Sequence, residues 1–148
     1  MFEINTSCEI NAEPAAVWAV LTDFDAFAQW NPFMTSARRD KNRLYITINP
    51  PHEKTRHFSP LLLKMEESEE LRWVGKTGSD CLLRGEHAFV LEKIAPGKTR
   101  LLHTEVFSGA LTCLITASQR EHIRAGFESM NVALANRVAQ IAQPALRR

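Results

Sequence analysis

An apolar stripe closes this chain and constrains all that precedes it. Ile123, Phe127, Met130, Leu134, Val138 and Ile141 recur at three- and four-residue intervals, one face of a helix of about seven turns. A helix of this kind gains most of its stability by laying its stripe on a second apolar surface, so the rest of the chain must supply one. Thr116 with Gln119, or Ser118 with Glu121, offers a capping box at its start, and Pro144 is expected to stop it. Gly126 inside the helix costs roughly 1 kcal/mol against alanine, which points to close packing or a kink there.

The second surface reads as a sheet. Phe2, Ile4, Thr6, Cys8 and Ile10 alternate with Glu3, Asn5, Ser7 and Glu9, the pattern of a half-buried strand. The period then changes: Pro14 suits a first helical position, and Val17, Val20, Leu21 and Phe24 follow at helical spacing. A second helical turn over Asp25 to Gln29 is ended by "WNP". From Phe33 to Phe107 the signals are strands and turns. "MTSAR" and "RLYITIN" flank the turn "RDKN", "PPHEKTR" reads as a loop, and "FSPLLLKME" and "ELRWVG" read as strands, with Pro60 marking an edge or a bulge. Leu71, Trp73 and Gly75 share a phase. The order is strand, two short helices, six strands, long helix. It implies an α+β chain with a seven-stranded antiparallel sheet covered by the C-terminal helix, and one domain over residues 1–148.

The last hairpin, "GEHAFVLEKIAPGKTRLLHTEVFSG", carries the sharpest signal. His87, His103 and Glu105 fall in phase with Phe89, Leu91, Leu101 and Phe107, on the side that should face the core. A three-residue loop of Ala95, Pro96 and Gly97 pairs Ile94 with Lys98, Leu91 with Leu101, Phe89 with His103 and His87 with Glu105. A five-residue loop shifts these partners by two, and a two-residue loop puts the His and Glu on opposite faces. Three readings of the pair stay open: mutual satisfaction of buried polar groups, a polar handle in a pocket, or a general acid and base. Two histidines and a carboxylate imitate an iron-binding set, but His103 and Glu105 stand roughly 6.5 Å apart along one strand, which disfavours convergence on a metal. No metal and no cofactor is expected.

Bulk properties exclude several function classes. A chain of 148 residues with 45% apolar and 24% charged side chains is not disordered, and a net charge of +1 gives no general field for nucleic acid. No apolar run approaches the roughly 18 residues of a membrane span. "MFEINTSCEI" lacks the pattern of a signal peptide, and three cysteines (Cys8, Cys81 and Cys113) suit a reducing cytoplasm, the expected location. The basic tip "ARRDKNR" reads as a solvated turn, and "GALTCLIT" as a buried loop or a flexible gate. No nucleophile elbow, phosphate loop, nucleotide fingerprint or zinc spacing occurs.

Four stretches carry a resemblance to a known superfamily: "PAAVWAVLTDFDAFAQWNPF", "FSPLLLKMEESEELRWVG", "GEHAFVLEKIAPGKTRLLHTEVFSGAL" and "GFESMNVALANRV". The chain resembles the START and polyketide cyclase-like superfamily, often called SRPBCC, and in particular its bacterial stand-alone polyketide cyclase/dehydrase-like branch. The resemblance implies a helix-grip fold and a small hydrophobic ligand, aromatic, lipid-like or polyketide-like, in the hollow between sheet and helix. The candidate walls are Trp30, Trp73, Phe89, Phe107, Phe127, Met130 and Leu134, with His87 and Glu105 as the polar end and His103 and Asn131 as further contacts. The alternatives are acid–base chemistry by His87 and Glu105 on such a ligand, and a protein-interaction module. Monomer and dimer both stay open.

Overall fold

The computed structural model describes residues 1–79 and 81–146. Among the described residues eight strands form one antiparallel sheet: β1 Phe2–Ile10, β2 Met34–Asp40, β3 Arg43–Ile48, β4 Arg56–Phe58, β5 Leu61–Glu66, β6 Glu70–Thr77, β7 Leu83–Ala95 and β8 Lys98–Ser108. Seven of them follow in the order β1-β8-β7-β6-β5-β3-β2, and the three-residue β4 pairs with β3 beside that path. The curled seven-stranded sheet is the one expected; β4 is an addition to it. "PPHEKTR" is therefore not all loop, since Arg56 begins β4. Pro60 does not sit inside a strand but in the break between β4 and β5, where its carbonyl accepts the Leu44 N–H at 2.9 Å. A proline has no N–H to give a ladder, so the strand is interrupted there and resumes at Leu61.

Between β1 and β2 lie α1 Pro14–Leu21, a 3-10 turn Phe24–Ala26 and α2 Phe27–Trp30. Glu13 does not cap α1 with its side chain; it accepts the Gly97 N–H at 2.7 Å and pairs with Lys93 at 3.0 Å. The start of α1 is thereby fastened to the β7–β8 turn.

The closing helix, α3, runs Ala117–Leu146. Of the two capping boxes offered, Thr116 and Gln119 form one: Gln119 N–H donates to Thr116 Oγ1 at 3.1 Å, and Thr116 N–H to Gln119 Oε1 at 2.9 Å. The helix does not stop at Pro144, because a proline this near the end forfeits one backbone hydrogen bond and the last turn continues past it. Phe127, Met130, Leu134 and Val138 are buried against the sheet, whereas Ile141 at the far end of the stripe is exposed. Gly126 lies directly against the ring of Phe33, so the missing side chain is what lets that ring pack edge-on to Phe127 at 5.6 Å.

The β7–β8 turn is tighter than the three-residue loop. Ala95 pairs with Lys98, leaving Pro96 and Gly97 at the corner, with Gly97 at φ 68°. Proline followed by a residue of positive φ is the pattern of a type II turn. A bulge between Lys93 and Ala95 inserts one residue into β7, which restores the parity a two-residue turn would have broken. Leu91 thus faces Leu101, Phe89 faces His103 and His87 faces Glu105, as the longer loop required.

Candidate functional site

The concave face of the sheet and the first half of α3 do not close on each other. Between them lies a cavity of about 220 Å³. Two glycines paired across neighbouring strands, Gly75 on β6 and Gly85 on β7, line it from inward positions and bring no side chain, and at Gly75 the space beyond the backbone stays open. Trp73 and His87, the next inward residues on the same strands, form its inner end and stack at 4.9 Å and 24°. Phe127 and Ile123 of α3 face them, and Phe33, Ile46 and Phe107 complete an apolar wall. Arg56 and Phe58 of β4 also line it; Arg56 is paired with Ile48 and hence on the concave side. Arg56, Lys76 and Thr77 are solvent-exposed as well as cavity-lining, which marks the mouth.

Two acids line the cavity, Glu53 and, beside His87, Glu105. A Cβ at Gly85 would come within 2.7 Å of Glu105 Oε1, so the glycine makes room for the carboxylate. Its Oε2 lies 3.5 Å from Nδ1 of His87. His87 in turn bonds inward: its Nε2 is 2.7 Å from Nε2 of His103. His103 Nδ1 lies 2.7 Å from Asn131 Oδ1, Asn131 Nδ2 donates to Thr6 Oγ1 at 2.9 Å, and Thr6 Oγ1 donates to the His103 carbonyl at 2.8 Å. A single file of hydrogen bonds therefore runs from the cavity wall through β7 and β8 to α3 and ends on β1.

Donor and acceptor counting fixes the protons in this file. Thr6 gives its hydrogen to the carbonyl, so it accepts from the Asn131 amide, whose oxygen must then accept from His103 Nδ1–H. Burial, reinforced by the neighbouring His87, pushes the pKa of His103 well below the ordinary 6.5 and keeps the ring neutral. Its Nε2 is consequently bare and accepts, and His87 donates from Nε2–H. The remaining His87 nitrogen, Nδ1, is the one turned toward Glu105. Aromatic neighbours hold both rings in place: His103 is stacked on Phe127 at 4.1 Å and on Phe89 at 4.2 Å.

Of the expected site residues, Trp73, His87, Glu105, Phe107 and Phe127 line the cavity. Phe89, Met130 and Leu134 are fully buried in the packed core behind it. His103 and Asn131 are buried too and meet His87 and each other instead of the open space. Trp30 is elsewhere: it packs edge-on to Phe27 and borders a separate groove between α1 and the end of α3. Sequence reasoning passed over Gly75 and Gly85 as cavity formers, Thr6 as the end of the hydrogen-bond file, and Arg56 and Phe58 on the short strand. The in-phase glycines were the available signal. Among the described residues no group of three His, Cys, Asp or Glu side chains is placed to hold a metal ion. The Nε2 atoms of the two histidines face each other.

A family model described as polyketide cyclase/dehydrase and lipid transport matches residues 1–47. Among solved structures, a START superfamily protein from Mycobacterium smegmatis superposes with a TM-score of 0.76 at 18% identity, over 94% of this chain and 98% of that one. A protein from Thermus thermophilus gives 0.77 at 16% identity, over 95% and 99%. An aromatase/cyclase from Streptomyces sp. R1128 gives 0.67 at 15% identity, over 98% and 95%. No curated protein sequence matches the chain. No helix among the described residues is long and apolar enough to cross a membrane.

Proposed function

From a START-type, SRPBCC-like fold that leaves a hollow under its long helix, we propose that the protein binds a small hydrophobic molecule in that hollow, with Glu105 and His87 at its polar end. The observation that carries this reading is the cavity of about 220 Å³ with aromatic and aliphatic inner walls, the His87–Glu105 pair at its inner end and charged residues toward its mouth. An apolar engineered cavity of about 150 Å³ admits benzene, so this one accommodates one ring, or two small ones, with any longer tail leaving by the mouth. Filling it removes apolar ligand surface from water at roughly 25 cal/mol per Å². The match to a family described as polyketide cyclase/dehydrase and lipid transport, and the structural likeness to an aromatase/cyclase, agree with such a guest.

Native mass spectrometry of the gently purified protein, followed by calorimetric titration of the stripped protein with p-xylene, tests the proposal. The expected result is a retained small molecule and saturable p-xylene uptake. Protein that holds no guest and takes up no p-xylene overturns it.

A second reading, acid–base chemistry on the bound molecule, is favoured by one observation: Nδ1 of His87 and the carboxylate of Glu105 adjoin each other in the cavity wall. On that reading His87→Gln lowers turnover of the native ligand by about 10²-fold or more. An unchanged rate removes His87 from the chemistry.

A further inference from the structure

The hydrogen-bond file leaves an unmet demand at its cavity end. Because His103 accepts at Nε2, His87 is held as the Nε2–H tautomer, and its Nδ1 is an acceptor when the ring is neutral. Glu105 Oε2, an acceptor too, lies 3.5 Å away. The contact to His87 is the one polar contact of that carboxylate among the described residues. Two acceptors thus converge at the His87 end of the cavity, where the Glu105 side chain is half-buried, and a guest that displaces water from them without giving a hydrogen costs on the order of 1–3 kcal/mol. Either water or a ligand supplies that hydrogen.

Resting on the binding function above, the geometry points to a guest that carries a hydroxyl, a phenol or a comparable ring alcohol, donating its hydrogen to Glu105 beside His87 Nδ1. The hydroxyl supplies the missing donor, while the ring lies along Trp73 and Phe127. A ligand offering an acceptor alone, such as an ether or a ketone, meets two lone pairs and is disfavoured. Gly85 is part of the selection, since any side chain there would push the Glu105 carboxylate out of its place. Thr6, Asn131 and His103 act through His87 by fixing which nitrogen faces the ligand.

The test uses two probes of one shape, p-cresol and p-xylene, titrated calorimetrically into the wild-type protein and into Glu105→Leu. The expected result is p-cresol bound about tenfold or more weakly by the variant, with p-xylene unchanged within about twofold, since a hydrogen bond to a charged acceptor is at stake and the apolar wall is not. Equal changes for both probes, or none for p-cresol, overturn the hydroxyl assignment. Failure of the wild type to bind p-xylene overturns the cavity-binding reading itself, and the assignment with it. Glu105→Gln, which keeps the size of the side chain, serves if the leucine variant does not fold, with the same direction expected. Nitrogen-15 NMR of the imidazoles at mildly alkaline pH reads the tautomers directly. Hydrogen is expected on His87 Nε2 and His103 Nδ1; the opposite placement overturns the argument without reference to any ligand.

Discussion

The Nε2 atoms of His87 and His103 meet at 2.7 Å in a part of the core where His103 has no contact with solvent. Protonating His103 would place a second hydrogen between those nitrogens and a charge inside an apolar stack. Its folded pKa lies below the ordinary 6.5, so an unfolded chain takes up a proton that the folded chain refuses. The stability concerned is fully present above pH 6.5 and is lost as the pH falls below it. Urea melts of wild type and His103→Gln are expected to run parallel from pH 8 to about pH 7 and to diverge below pH 6.5, with a slope difference that approaches one proton, near 1.4 kcal/mol per pH unit, toward pH 5. Parallel curves would show that His103 titrates normally.

Asn131 serves both neighbours in the file at once. Asn131→Leu keeps the size of the side chain but leaves His103 Nδ1–H and Thr6 Oγ1 without this partner. A loss of about 2 kcal/mol or more in urea unfolding is expected, against less than about 0.5 kcal/mol for Val132→Ala next to it on the exposed side.

Gly126→Ala inverts the usual helix rule. Alanine is better by roughly 1 kcal/mol in a helix interior. Here its methyl group would overlap the buried ring of Phe33, which is itself held against Phe127. Net destabilisation of about 1–2 kcal/mol is expected in thermal or urea melts, since overpacking a fitted core costs about 1–3 kcal/mol. A stabilised variant would show that the ring moves freely aside.

Gly75 offers the opposite case. A Cβ there meets only Pro60 Cβ, at 3.9 Å, and further atoms extend into the hollow. Gly75→Leu is expected to lower p-xylene affinity by more than about tenfold while the melting temperature holds or rises, because a side chain in place of a strand glycine both packs and restricts the unfolded chain. Unaltered p-xylene binding would place the guest elsewhere.

Much of this was legible in the residues themselves. Alternation gave β1 its inward face, and the parity of His87, His103 and Glu105 within the hairpin placed them on one side before any coordinates. That parity survived a wrong turn length because the bulge between Lys93 and Ala95 absorbed the difference. Local patterns could not reveal what depends on tertiary placement. Asn131 reads as a ligand contact until the rotation of α3 turns it into the core against His103. Trp30 reads as a pocket wall because a large aromatic signals burial and not direction. A three-residue strand such as β4 is too short to show a period, so Arg56 and Phe58 gave no sign of reaching the cavity.

β1 has β8 as its partner strand, with Phe2 opposite Phe107 and Ile10 opposite Thr99. On the ribosome, then, the first strand emerges roughly 100 residues ahead of the strand that completes it, a wait on the order of ten seconds at ordinary elongation rates. Throughout that interval an amphipathic ribbon stands without its ladder, while the β2–β3 and β5–β6 hairpins can already form locally. The exposure that this topology entails thus falls on the growing chain and not on the finished molecule.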